Sequence, residues 1–224
     1  MNRQLKQSAS VQKQFTQRFI VYTHNASQKI INAYLAGDST ELEKRQYYAS
    51  LNEYGDFLKM IDLAKNLVPA QNHLATVLNI NYYYLKGLIS RLNIARSTKT
   101  DSLLKEAFSA QFQTLKLEPY AAYAHNEIGN LYTYKEMLDS AKYHYDLATV
   151  LAPTWVIPWS NKIRLNVMWN KFDEAKIALA IADSLQPGLD LVQINGGFLM
   201  ENINNLAVKG YYLNAIKPKA LLTL

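Results

Sequence analysis

The chain has 224 residues, 49% of them hydrophobic, with 24 basic and 18 acidic side chains for a net charge of +6. That apolar share excludes a largely disordered chain, and the absence of cysteine excludes both a disulfide framework and a thiolate zinc site. No run approaches the roughly 20 apolar residues of a membrane-spanning helix, and polar residues 1–10 lack the apolar segment of a secretory signal; a cysteine-free chain of this kind fits a reducing cytoplasm.

The first predicted helix covers residues 10–35, with residues 1–9 fraying from it or continuing it. Phe15, Phe19, Tyr22, Ala26, Ile30 and Ala33 recur at three and four, which gives one narrow packing face. Residues 1–36 carry five cations (Arg3, Lys6, Lys13, Arg18 and Lys29) and no carboxylate. An acidic partner or a lipid surface is therefore expected for this helix, met by Arg3, Lys6 and Lys13. Gly37 stops it, and Asp38 and Ser39 are N-cap candidates for a second helix over 40–67, which Pro69 closes. Residues 1–69 thus read as an N-terminal helical pair.

Residues 70–119 read as a divergent unit with an insertion. Its first helix is expected over 71–92, with Gly87 at a close-packing position. A polar segment over 94–101 follows as a loop, and Asp101 is expected to N-cap a helix running to Leu117.

From there a period takes over. Leu117, Leu151 and Leu185 are 34 residues apart, as are Pro119, Pro153 and Pro187, and Ala107, Ala141 and Ala175. A fixed spacing in this range marks stacked helix pairs that contact only their neighbours. Residues 120–189 hold two well-matched units. Gly129 and Ala141 are small where helices approach, Tyr132 and Tyr145 fill the gaps beside them, and Trp159, Ala175, Leu179 and Ala182 repeat the pattern. Each closing proline ends a helix, because it lacks an N–H and clashes with the preceding turn. Residues 190–224 read as a degenerate last unit. Its first helix is expected over 191–202 with Gly197, and its second over 204–216, where Lys209 stands in place of the expected alanine. The apolar tail after Pro218 is expected to be covered, or to mark the chain as a fragment of a longer one.

On these residues the chain resembles the tetratricopeptide repeat (TPR) family, strongly over about two units of 34 residues. The resemblance implies an all-α fold, a right-handed α-solenoid of antiparallel helix pairs with about eight to ten helices. It also implies a non-catalytic scaffold that binds a peptide or protein in a concave groove lined by the first helix of each unit. The residues it directs to the groove are Tyr123, Asn126, Asn130, Thr133 and Tyr134 in one unit and Asn161 and Arg164 in the next. Asn81, Tyr84 and Arg91 occupy such positions in the divergent unit. The family's two-carboxylate clamp is not implied: Asn130 and Asn161 match its pattern, but Asn126, Leu191 and Asn195 stand where cations are needed.

No catalytic or metal chemistry is expected. His24, His73, His125 and His144 never fall three or four residues apart, and no HExxH, P-loop, GxSxG or GxGxxG occurs. His125 and His144 sit where contacts between helices are expected. Neither a cofactor nor nucleic acid is expected as a partner. The alternative of an RNA-binding helical repeat is opposed by residues 120–189, which carry six basic against seven acidic side chains, because phosphate neutralisation needs a basic surface. The other alternative is a regulatory TPR region of a larger enzyme.

Overall fold

The computed structural model describes residues 2–47 and 51–203, and among them every regular element is helical. The second helix expected over 204–216, Lys209 and the tail after Pro218 lie outside the described residues, as do the side chains of Arg3 and Lys6. The chain divides into two compact units, residues 1–34 with 40–119, and residues 35–39 with 120–224.

The first unit contains α1 (Asn2–Leu35), α2 (Ser39–Tyr47), α3 (Leu51–Leu67), α4 (His73–Asn93) and α5 (Thr100–Leu117), α1 and α2 running into the intervening turn. The helix expected over 40–67 is thus described in two stretches, α2 and α3. Helix α4 packs on both α3 and α5. It starts where Asn72 accepts the backbone N–H of Leu74 at 2.9 Å, so a side chain satisfies one of the orphan donors of the first turn. Leu78, Leu85, Leu88 and Leu92 then recur at three, four and seven and are all buried. A Cβ on Gly87 would lie 2.5 Å from the amide nitrogen of Gln111. That amide donates to the Tyr84 carbonyl at 3.2 Å, a contact the glycine makes room for.

The insertion is narrower than expected. Ile94 is buried and opens a short 3-10 turn, Ile94–Arg96, which leaves residues 97–99 as the polar connection. Asp101 is not the N-cap. Helix α5 opens at Thr100 without a side-chain cap, and Asp101 lies in its first turn, where a carboxylate still faces the positive end of the helix dipole.

The second unit contains α6 (Ala122–Tyr134), α7 (Leu138–Leu151), α8 (Val156–Met168), α9 (Phe172–Leu185) and α10 (Asp190–Asn202). The period reappears in these boundaries: α6, α8 and α10 start 34 residues apart, and so do α7 and α9. Adjacent helices pack, and α10 rests on both α8 and α9. Their corners repeat atom for atom. Glu136 N–H donates to Thr133 O and Met137 N–H to Tyr132 O, while Asn170 N–H donates to Val167 O and Lys171 N–H to Asn166 O. This double bond pattern needs a left-handed residue after the helix, and Glu136 (φ 56°) and Asn170 (φ 57°) supply it.

Small residues set the distance between helices. Ala141, Ala148, Ala175 and Ala182 are fully buried on α7 and α9. A Cβ on Gly129 would meet the Tyr145 ring at 2.5 Å, so α6 carries no side chain where that ring lies. One period later Ile163 and Leu179 occupy the same positions, both buried. A glycine facing a large ring has become two aliphatic side chains of equal size.

Candidate functional site

The first helices of the second unit are linked by a repeated polar rung. Asn161 of α8 donates its amide to Asn126 Oδ1 of α6 at 2.9 Å. One period on, Asn195 of α10 donates to Ser160 of α8, to the hydroxyl at 2.9 Å and to the carbonyl at 3.0 Å. Each rung joins positions 35 residues apart. The residues differ, but the places are the same. A buried amide without a partner destabilises by roughly 1–3 kcal/mol, so these bonds offset the burial of Asn126 and Asn195.

One turn beyond the rung, the same face opens to solvent. Asn130 accepts the Tyr145 hydroxyl on Oδ1 at 2.8 Å, and its Nδ2 makes no bond among the described residues. Asn161 donates to Asn126, and its own Oδ1 makes no bond among the described residues. Arg164 is exposed at the position equivalent to Asn130, and Tyr134 is 53% exposed at the end of α6. Thr133 is turned inward, donating to Gly129 O at 2.9 Å beside the Tyr145 hydroxyl at 3.2 Å. Together the face offers an amide donor, an amide acceptor, a guanidinium and a phenol. Those groups suit the alternating N–H and C=O groups of an extended peptide and a carboxylate.

The remaining expected positions are placed differently. Asn126 is fully buried and Tyr123 is buried with it, so neither presents a surface to a ligand. In the first unit Asn81 is buried, donating to Ser27 Oγ at 2.9 Å, and Arg91 is half-buried. Tyr84 is fully buried, and its hydroxyl accepts from Arg45 Nη1 at 2.8 Å.

That bond belongs to a buried ion pair that sequence reasoning missed. Arg45 Nε donates to Glu41 Oε1 at 2.8 Å, and the Tyr54 hydroxyl donates to the same oxygen at 2.8 Å. The Arg45 guanidinium also lies 3.5 Å from the centre of the Tyr34 ring. Its trace in the sequence is a Glu and an Arg four residues apart, a spacing that is usually read as an exposed pair.

Two further groups stand behind the open face. His125 and His144 are buried with their Nδ1 atoms 3.0 Å apart, and the His144 ring stacks on Tyr132. Burial, reinforced by the charge of His125, pushes His144 down from 6.5 to about 4. It is therefore neutral near pH 7. Asp146 joins α7 to α8: Lys162 reaches Oδ1 at 2.7 Å and Lys142 bonds Oδ2. Burial raises this carboxyl, but the hydrogen bonds and charges of the two lysines outweigh it and hold it below the usual range.

Among the described residues, no helix is long and apolar enough to cross a membrane. No family model and no curated protein matches the chain.

Proposed function

We propose that the chain is a non-catalytic scaffold, a TPR-like right-handed α-solenoid of antiparallel helix pairs that binds an extended peptide or protein segment on the face of its first helices. The observation that carries this reading is the open face of α6 and α8. There Asn130 Nδ2, Asn161 Oδ1 and Arg164 lie unbonded to other described residues within one turn of the rung that joins the two helices. Several of its polar atoms are held by partners that do not need the ligand. Asn130 is oriented by Tyr145, and Asn161 by Asn126. Such pre-orientation reduces the ordering entropy a ligand must overcome. Periodicity at 34 in both sequence and helix starts supports the repeat architecture.

The test is selection of binding peptides from a random displayed library, followed by titration of a recovered peptide. Asn130→Ala with Arg164→Ala should weaken binding by about 1–3 kcal/mol, since each removes a polar partner of the ligand. Equal affinity of the variant for every recovered peptide overturns the assignment to this face.

A further inference from the structure

The first unit carries a groove of its own. Residues 12–21 of α1 and residues 67–74 at the α3–α4 corner enclose a groove of about 950 Å³. Its floor is apolar, made by Ile20, Val21, Leu67, Val68, Pro69 and Leu74. Val21 is 52% and Leu67 51% exposed, so large hydrophobic side chains stand open to solvent there. Lys13 stands on the rim, and none of the lining residues is acidic. The α1 wall is one-signed, because α1 carries cations and no carboxylate along its whole length.

We propose that this groove binds an acidic amphipathic helix of a protein partner. The α1 wall from Gln12 to Val21 is about 14 Å long at 1.5 Å per residue, which matches two to three turns of a docked helix. An apolar stripe at three- and four-residue spacing fills the floor, and carboxylates beside the stripe meet Lys13 and the positive potential of α1. A second copy of this chain offers its own α1 with the same sign of charge, which repels. A flat anionic bilayer does not fill a concave floor. Complementarity of charge and shape together select the acidic helix.

The test uses the full chain and two labelled 14-residue model helices with the same leucine stripe, one with glutamate and one with lysine at the remaining positions, read by fluorescence anisotropy. The glutamate peptide should bind, and its affinity should fall at least tenfold with Leu67→Asp or Val21→Asp. Both sites are half exposed, and an unchanged thermal melt establishes that each variant folds. Lys13→Glu should weaken the glutamate peptide while improving the lysine peptide. Asn130→Ala with Arg164→Ala should leave both unchanged, which separates this site from the face on α6 and α8. Equal binding of the two peptides overturns the proposal, as does indifference to Leu67→Asp. So does self-association in ultracentrifugation that Leu67→Asp abolishes, or binding to phosphatidylserine vesicles with none to the glutamate peptide.

Discussion

Tyr145 fills the space that a side chain on Gly129 would need, and its hydroxyl bonds Asn130 on the candidate binding face. Packing and site geometry therefore share one residue. Gly129→Ala should destabilise the chain by about 1–3 kcal/mol, because the added methyl forces the ring to move. Tyr145→Leu introduced with it should restore part of that loss, since Leu179 stands at the equivalent place beside a larger partner; denaturant titration of the three variants checks this. For the buried ion pair, Arg45→Ala should cost about 3–5 kcal/mol by leaving the Glu41 carboxylate buried without its countercharge. Replacing both partners with Glu41→Leu and Arg45→Met should recover most of it. The His125–His144 contact adds a pH dependence. Across the 3.0 Å gap one Nδ1 donates to the other, and a proton added to the accepting Nδ1 would set two donors face to face and bury an imidazolium. Since the His144 pKa is depressed from 6.5 to about 4, the unfolded chain binds more protons between those values. Stability should be full above pH 6.5 and decline as pH falls towards about 4, and the decline should be shallower in His144→Phe, as followed by thermal melts across that range.

At the scale of elements, the corners are more uniform than the helices they join. Glu136 and Asn170 hold left-handed backbone in two corners of identical bonding. A side chain with Cβ destabilises that conformation by roughly 1–2 kcal/mol, while glycine adopts it freely but loses more entropy on folding. The net expectation for Glu136→Gly is a gain of about 0.5–1 kcal/mol, and a smaller one for Asn170→Gly because asparagine tolerates the left-handed region. Calorimetry of both variants measures the difference. The ends of α5, α7 and α9 were legible in advance, because prolines at a 34-residue spacing stop a helix without reference to any partner. Asp101 misled because a carboxylate suits the first turn as well as the N-cap, and the cap position is Lys99, two residues earlier. The candidate face was legible only in part. Asn126 and Asn130 look alike in sequence, yet one is sealed under a rung and the other opens to solvent. Which of them is covered depends on Asn161, in another helix. The pairing of His125 with His144 and the burial of Arg45 likewise depend on where neighbouring helices bring their side chains.

At the scale of the molecule, helices that pack on their neighbours in sequence, as they do throughout the second unit, make stability local there. In the second unit, hydrogen exchange of Gly129→Ala should show the largest loss of protection in α6 and α7, a smaller one in α8, and the least in α9 and α10. Uniform loss across all five would mean that the unit opens as a single body. The two proposed docking surfaces are built on different units, one on α6 and α8 and the other on α1 and the α3–α4 corner.

The rungs carry one last implication. Asn161 reaches back to the first helix before it, and Asn195 reaches back to Ser160 in the same way. Tandem duplication of residues 154–187 would therefore insert a spacer whose Asn161 meets the Ser160 of the preceding copy, while Asn195 finds the Ser160 of the new one. Each junction would reuse a bond already present, so the chain can be lengthened by whole units without designing a new seam.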